Sequence, residues 1–361
     1  MTRRGLLSAI CGGSFSLAVK AQQPARKPNP KLPPKLGEFL AYLDPATENT
    51  VIRLTDPAYT SRSPASQNRH VSSRSPLLLF SNDRHGAMAP FTLDLKTAVL
   101  KQLAEPAELK TDTLLFDSSE RACLFLDGQI LTRVSLEHGK PKTLAEGVED
   151  FHAQGARDQI VALRKGKLER IEEGRSTLLA EGASSRGLIN PEGSACCFTT
   201  EQSDGKYSLH IVPMGGGKAL EAARGAITCP TWSPDSQSVL FLRESEQENF
   251  PVTELWEAPV DASGAQFISR TSRFAAFSPN GNGSVFVGAS RSLAQPHVML
   301  SLRTVRREMT LCEHKSSRPE LVRPVFSPNS QRVYFQSDRH GKPALYTLSV
   351  AQLVESTQPA S

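Results

Sequence analysis

One four-residue motif recurs three times in the second half of the chain and constrains the fold more than any other feature. It consists of an aromatic residue, Ser, Pro and then Asp or Asn, and its copies begin at Trp232, Phe277 and Phe326. Each copy is followed by a short β-prone run with a Phe nine residues after the aromatic anchor. Self-similarity at such intervals is typical of folds that repeat one supersecondary unit.

Counting back nine residues from other apolar residues reveals four weaker copies in the first half of the chain. The seven anchors are Val71, Phe116, Phe151, Ile189, Trp232, Phe277 and Phe326. A second signature stands before the next copy of the motif. It consists of an apolar residue followed by a small residue and often an acid, as in Leu103-Ala104-Glu105. It also occurs seven times, and the spacing fits four short strands per unit with turns between them.

The two ends of the repeat region complement each other. The last unit, residues 326–348, is one strand short, whereas residues 51–54 form an outer strand with no inner strands before it. Pairing the N-terminal strand into the last unit leaves no open sheet edge. The sequence therefore predicts an all-β protein, one seven-bladed β-propeller over residues 38–350. Six or eight blades, or several small β-domains in a row, are the alternatives.

The N-terminal segment differs in composition from the rest. Residues 1–21 begin with Arg3-Arg4, continue with a weakly apolar stretch and end on small residues, which is the pattern of a twin-arginine-like export signal peptide. Residues 22–37 contain five prolines and four basic residues and are predicted to be an extended spacer. We therefore expect a periplasmic or secreted protein, with residues 351–361 as a polar tail. A cytosolic N-terminus is the alternative.

The positive charge of the chain resides in this N-terminal segment. The formal net charge is +5, from 42 basic and 37 acidic residues. Seven of the basic residues and none of the acidic ones precede Glu38, so 35 basic residues face 37 acidic ones from there on, a net charge of −2. This balance excludes nucleic acid as a partner, which needs a basic face on the folded domain. No apolar run is long enough for a transmembrane helix.

The last repeat carries a resemblance to a known class of repeats. The aromatic-Ser-Pro-Asn motif at Phe326, the turn Ser337-Asp338-Arg339-His340-Gly341 and the strand that ends near Tyr346 resemble the WD40-like propeller repeat of the TolB type. Three repeats match this pattern well and the other four match it in outline. The resemblance implies the fold, and it is compatible with binding proteins and with enzymes.

A second, narrower resemblance concerns the first residues of the repeat region. Residues 42–47, Tyr-Leu-Asp-Pro-Ala-Thr, and residues 80–84, Phe-Ser-Asn-Asp-Arg, are similar to segments of oligogalacturonate lyases. The family consists of seven-bladed propellers that cleave pectin fragments by β-elimination. The resemblance implies that a catalytic His should precede the Pro at the start of the fifth blade and that metal-binding His residues should stand at the start of the sixth and seventh blades.

The corresponding positions of this chain carry other residue types. Cys229 precedes the Pro of the fifth blade, Arg273 and Phe274 stand at the start of the sixth blade, and Arg323 stands at the start of the seventh. Neither Phe nor Arg ligates a divalent cation. We therefore expect no metal site and no cofactor, and manganese or calcium only if lyase activity is retained. Cys229, Arg273 and Arg323 remain candidates for ligand binding at the mouth of the channel.

Two of the eight histidines lie next to anchors. His152 follows Phe151, and His70 precedes Val71, so both are predicted near the central channel. Each is a candidate general base or ligand, with a structural histidine as the alternative. No two histidines have the spacing of metal ligands on one element. Cys123 and Cys196 occupy equivalent positions of core strands and are predicted to be buried hydrophobic residues.

These features predict an exported, non-catalytic TolB-like β-propeller that binds a protein or glycan ligand at its channel-mouth face. An oligogalacturonate-lyase-like enzyme with a rearranged metal site is the alternative. The expected partner is an envelope protein or an acidic oligosaccharide, and we expect a monomer. The loops at the mouth carry no motif that separates the two kinds of partner.

Overall fold

The computed structural model describes residues 36–155, 159–172, 174–245 and 252–357. The strands of these residues form seven antiparallel sheets, the blades of a β-propeller, so the predicted fold class is confirmed. The predicted signal peptide and most of the spacer lie outside the described residues and stay predictions. In the described part, no helix is long and apolar enough to cross a bilayer.

Blades are numbered in chain order, and the first two strands belong to blade 7: β1 (Leu40–Leu43) and β2 (Thr50–Arg53). Blade 1 contains β3 (Ser61–Arg62), β4 (Leu77–Asn82), β5 (Ala89–Asp94) and β6 (Leu100–Gln102). Blade 2 contains β7 (Leu115–Phe116), β8 (Ala122–Asp127), β9 (Ile130–Ser135) and β10 (Pro141–Ala145). Blade 3 contains β11 (Asp150–Gln154), β12 (Gln159–Arg164), β13 (Lys167–Glu172) and β14 (Arg175–Glu181). Blade 4 contains β15 (Leu188–Ile189), β16 (Ala195–Glu201), β17 (Tyr207–Pro213) and β18 (Leu220–Gly225). Blade 5 contains β19 (Ile227–Trp232), β20 (Ser238–Ser245), β21 (Val252–Pro259) and β22 (Gln266–Thr271). Blade 6 contains β23 (Phe274–Pro279), β24 (Val285–Ser290), β25 (His297–Leu302) and β26 (Arg307–Glu313). Blade 7 is completed by β27 (Val325–Phe326), β28 (Arg332–Ser337) and β29 (Ala344–Ser349), and two short 3-10 helices cover Thr111–Thr113 and Pro319–Leu321.

The ring closes as the sequence predicts. Strand β2 pairs with β29 in antiparallel register, with Val51 opposite Leu348. This pairing supplies the strand that the last repeat lacks. Strand β1 then adds a fifth, outermost strand to blade 7, which the repeat pattern did not indicate because it has no counterpart in the other blades.

Apolar side chains on both faces of each blade form the core. In β20, Val239 and Phe241 pack toward blade 4, whereas Leu240 and Leu242 pack toward blade 6. Because both faces of the strand are covered by neighbouring blades, the apolar residues run continuously instead of alternating with polar ones. The predicted burial of the two core cysteines, Cys123 and Cys196, is confirmed.

The anchors lie on or beside the innermost strands, and the innermost strand of blade 1 is interrupted. Arg62 pairs with Ser81, and the next bridge on this side joins Val71 to Leu78. Residues 62 and 71 are nine positions apart, whereas their partners 81 and 78 are three apart, so six residues are extra. The eight residues between the two bridges, 63–70, therefore leave the blade as a loop, which we call the channel loop.

Candidate functional site

The antiparallel order of the strands brings two sets of loops to the same face of the propeller. Each innermost strand begins at the edge where the second strand of its blade ends. The loops that lead into the blades therefore share one face with the turns between second and third strands. We call it the channel-mouth face, and it carries every candidate that the sequence placed at the start of a blade.

The channel loop crosses the centre of this face. Gln67 donates a side-chain hydrogen bond to the Pro230 carbonyl oxygen of blade 5, 3.0 Å away. Its own amide oxygen accepts one from Arg186, ahead of blade 4, and its backbone oxygen lies 3.4 Å from His152 Nε2 of blade 3. One residue contacts three blades, which is possible only close to the axis.

Neighbouring residues of the channel loop bind further blades. Asn68 Nδ2 donates to the carbonyl oxygens of Asp112 and Leu114, which lead into blade 2. The backbone N–H of Ser63 donates to Oε1 of Gln336 in blade 7, 2.8 Å away. The loop thus connects blades on several sides of the ring, and a cavity of about 210 Å³ remains beside it, bordered also by Ser278 and by other residues of blades 5 to 7.

His70, the last residue of the channel loop, and His152, which lies beneath the loop, are both buried, with 2 % and 3 % exposure. Nδ1 of His70 lies 2.7 Å from the Asn68 carbonyl oxygen. Nδ1 of His152 accepts a hydrogen bond from the Ile189 backbone N–H, so its Nε2 carries the proton that faces Gln67. Burial lowers the pKa of His70 to about 4 and that of His152 to about 3. Both rings are therefore neutral near pH 7, and these contacts are those of structural histidines.

One side of the mouth carries paired charges. Arg323 forms two hydrogen bonds to the Asp112 carboxylate, at 2.7 and 2.8 Å, and a third to the Ser63 carbonyl oxygen. Arg186 lies 3.9 Å from Asp150. Burial alone would raise the pKa of Asp112, but the hydrogen bonds and charge of Arg323 outweigh it and lower the pKa. At Asp150 burial prevails over Arg186, and the pKa is raised.

Cys229, Arg273 and Arg323 share a backbone conformation near the start of blades 5, 6 and 7. Their backbones are left-handed, with φ of 53°, 55° and 46°. Cys229 and Arg323 lie four residues before the turn that follows the innermost strand, whereas Arg273 lies seven residues before it, so the positions are similar but not equivalent. The three side chains have different surroundings, although two of them are of the same type.

Cys229 and Phe274 are used in packing. The Cys229 sulfur lies 3.4 Å from the Ala275 carbonyl oxygen, and burial raises the pKa of its thiol. The Phe274 ring is fully buried against Gly288, where an added Cβ would overlap the ring. Arg273 is exposed, and its guanidinium has no hydrogen bond or ion pair to any residue that the structure describes. Of the candidates at the start of blades 5 to 7, only Arg273 has its charge available to a ligand.

These positions do not fit a divalent cation. A protonated thiol, a buried phenyl ring and a guanidinium are not oxygen or imidazole ligands. The nearby carboxylate of Asp112 is already bound to Arg323. Among the described residues, no group of three or more His, Cys, Asp or Glu side chains is arranged to hold a metal ion.

The residues that the sequence did not indicate are the channel loop, Asp112, Asp150 and Arg186. The nine-residue interval between Arg62 and Val71, filled with turn-forming residues, is the signal that could have revealed the loop. No local signal indicates that Asp112 and Arg323 form a pair, since they are 211 positions apart.

Comparison with two solved structures supports the fold. An oligogalacturonate lyase in complex with manganese is similar over 86 % of this chain and 96 % of its own, with 20 % identity and a TM-score of 0.78. An oligogalacturonate lyase from Vibrio parahaemolyticus covers the same shares, with 18 % identity and a TM-score of 0.76. TolB from Acinetobacter baumannii is similar over 78 % of this chain and 79 % of its own, with 14 % identity and a TM-score of 0.45.

No protein-family model and no curated protein sequence matches the chain. The chain is a seven-bladed β-propeller, and its fold is that of the two lyase structures. At 18 to 20 % identity the likeness concerns the fold alone, because folds of this kind serve many unrelated functions.

Proposed function

We propose that the protein is an exported, non-catalytic β-propeller that binds an acidic oligosaccharide at its channel-mouth face. The observation that carries the proposal is the exposed guanidinium of Arg273, which has no partner among the described residues. A guanidinium presents a planar fork of N–H donors that matches a carboxylate. Arg323 and Arg186 contribute to the local positive potential but are paired with carboxylates.

The absence of catalysis is part of the proposal. The base position implied by the lyase resemblance is occupied by Cys229, whose raised thiol pKa keeps it protonated and weakly reactive. His70 has the Asn68 carbonyl oxygen at Nδ1 and the Ser63 hydroxyl at Nε2, and His152 has backbone groups at both ring nitrogens. A base for β-elimination must reach the proton it removes, and neither ring has a free nitrogen in this arrangement.

Lyase activity is the second candidate function, and the TM-score of 0.78 to a lyase structure is the observation that favours it. Both candidates share the ligand class and differ in turnover. Trigalacturonate, titrated with and without manganese, separates them. We expect saturable binding by calorimetry without the ultraviolet absorbance of an unsaturated product. Appearance of that product at many turnovers would instead establish the enzyme.

Arg273→Gln tests the site itself. The substitution removes the charge and the fork and keeps most of the length, so affinity should fall at least tenfold, about 1.4 kcal/mol. Arg307→Gln is the matched control, because Arg307 is exposed at the start of a fourth strand, on the opposite face. An unchanged affinity in Arg273→Gln, or no binding by the parent protein, would show that the ligand or the site is wrong.

N-terminal sequencing of the mature protein tests export, with loss of residues 1–21 expected.

A further inference from the structure

A groove between blades 4 and 5 is separate from the channel and encloses about 580 Å³, against about 210 Å³ beside the channel loop. Its volume is within the range of small-molecule sites. We call it the interblade groove and define it by Arg224, Arg243, Glu254 and Trp256. None of these residues contributes to the charge pairs at the channel mouth.

Strand register places three side chains of blade 5 together in the groove. Arg243 of β20 is opposite Glu254 of β21, and Phe241 is opposite Trp256. Because side chains two positions apart share a face, Arg243 follows Phe241 on the face toward blade 4. Glu254 and Trp256 share that face in the neighbouring strand. The indole N–H of Trp256 donates to Glu254 Oε2 at 3.0 Å, which fixes the plane of the ring.

The Arg243 side chain packs between two surfaces, its guanidinium on the Trp256 ring and its methylene groups beside Gly225. The central carbon of the guanidinium lies 3.5 Å from the centroid of the Trp256 ring, a close cation–π contact. On the blade 4 side, Gly225 has φ of 143°, and a Cβ there would be 3.1 Å from Arg243 Cδ. A glycine is therefore required both by its backbone conformation and by the approach of the arginine. The side chain is pre-organised before any ligand arrives.

Stacking on Trp256 occupies one face of the guanidinium and leaves the N–H groups at its edge free to form hydrogen bonds. Arg243 makes no hydrogen bond and no ion pair with any residue in the described ranges, including the directly opposite Glu254. A pre-organised guanidinium with its N–H fork unused at the wall of a cavity is suited to a carboxylate, which accepts two parallel hydrogen bonds.

The rest of the lining restricts what the carboxylate is attached to. Asp204 and Glu254 contribute carboxylate oxygens and Ser245 a hydroxyl, Lys206 and Arg224 add positive charge, and the Glu244 carboxylate is bound to Arg291 of blade 6. Carboxylates accept hydrogen bonds from hydroxyl groups, so a ligand with hydroxyl groups is favoured beside the arginine. A ligand with one carboxylate and several hydroxyls satisfies both parts of the lining.

We propose that the interblade groove binds a uronic acid residue, with its carboxylate on the Arg243 fork and its hydroxyls toward the acidic residues of the lining. The proposal depends on the groove alone and does not require that Arg273 bind a ligand.

Galacturonate is the probe, and Trp256 is the reporter. The chain has two tryptophans, and Trp232 is 7 % exposed with its indole N–H bonded to the Leu188 carbonyl oxygen. We expect galacturonate to change the tryptophan emission of the full-length protein in a saturable way, and galactose to leave it unchanged. Trp256→Phe should abolish the change in emission while calorimetry still detects binding.

Three variants decide between outcomes. Arg243→Gln should weaken galacturonate binding roughly tenfold or more, and Arg243→Lys, which keeps the charge and loses the fork, should fall between it and the parent. Arg307→Gln, at an exposed arginine outside both sites, should leave the galacturonate response unchanged. No response to galacturonate, or equal affinity in Arg243→Gln with an unchanged unfolding midpoint, would overturn the proposal. Succinate binding as tight as galacturonate would overturn the assignment to a sugar.

Discussion

The two sides of the channel mouth use the same residue type for different purposes. Arg323, at the start of blade 7, and Arg273, at the start of blade 6, share a left-handed backbone conformation. The Arg323 side chain is 16 % exposed and bound to Asp112 and to the channel loop, whereas Arg273 is exposed and has no partner in the described part of the chain. The partner across the mouth, more than the residue itself, determines whether an arginine supports the fold or remains available to a ligand.

The difference follows from where the channel loop lies. Its hydrogen bonds reach blades 2, 3, 4, 5 and 7, and around it the paired side gathers Asp112, Asp150, Arg186 and Arg323. A guanidinium already bound to a carboxylate must exchange partners to bind a ligand, whereas a solvated one only loses water. Ligand binding is therefore expected on the side of blades 5 and 6, and stability is expected to depend on the paired side.

The largest change in the free energy of unfolding is expected on acidification, because low pH favours protonation of the buried histidines. His70 and His152 have pKa values of about 4 and about 3 in the folded protein, against 6.5 ordinarily. Between pH 6.5 and about 4 the unfolded chain therefore binds up to two more protons than the folded one at these two positions, and the buried His314, whose pKa is also lowered to about 4, adds up to one more. The contribution of the three rings to stability is fully present above pH 6.5 and decreases as the pH falls. We expect a loss of up to about 4 kcal/mol for each pH unit in this window.

Urea unfolding at closely spaced pH values measures this slope. His152→Gln should reduce it by about 1.4 kcal/mol per pH unit, since one titrating group is removed. A parallel pH dependence of the parent protein and His152→Gln would show that this ring is charged, or accessible to water, in the folded state.

Removing the packing under the free arginine should have the next largest effect. Phe274→Ala deletes a fully buried ring that lies against Gly288, so the free energy of unfolding should fall by about 3–5 kcal/mol. Phe267→Ala, on the fourth strand of blade 5, is the control, because that side chain is 39 % exposed and should cost about 1 kcal/mol or less. Similar unfolding midpoints for the two variants would mean that the start of blade 6 is not packed as described.

The same two regions show how far the sequence predicts the molecule. The fold was predictable because each blade repeats one local pattern, so the apolar residue nine positions after an anchor, a Phe in six of the seven blades, marks the second strand of its blade. Closure was predictable because one end lacked a strand that the other end supplied. The site was less predictable: Arg273 and Arg323 both stand at the start of a blade, and their difference depends on Asp112, which is distant in the chain. The interblade groove depends on a cross-strand register that no motif records.

The smallest change in stability is expected from replacing Arg323 and Arg273 themselves. These substitutions test the difference between the two sides of the channel mouth most directly. Arg323→Gln leaves the Asp112 carboxylate without its cation and removes a hydrogen bond to the channel loop. Because the Asp112 side chain is 58 % exposed, water compensates for part of the loss, and we expect a decrease of about 1–2 kcal/mol. Arg273→Gln should change stability by no more than about 0.5 kcal/mol, as for an exposed side chain without contacts.

Asp112→Asn completes a double-mutant cycle with Arg323→Gln. If the pair is structural, the double variant should lose less than the sum of the two single variants, with a coupling of about 0.5–1 kcal/mol. The same cycle between Asp112 and Arg273 should give no coupling within error. Equal stability losses for Arg323→Gln and Arg273→Gln would remove the distinction between the two sides. An arginine that can be removed without loss of stability, yet not without loss of oligosaccharide binding, is what separates a binding residue from a structural one at the mouth of this propeller.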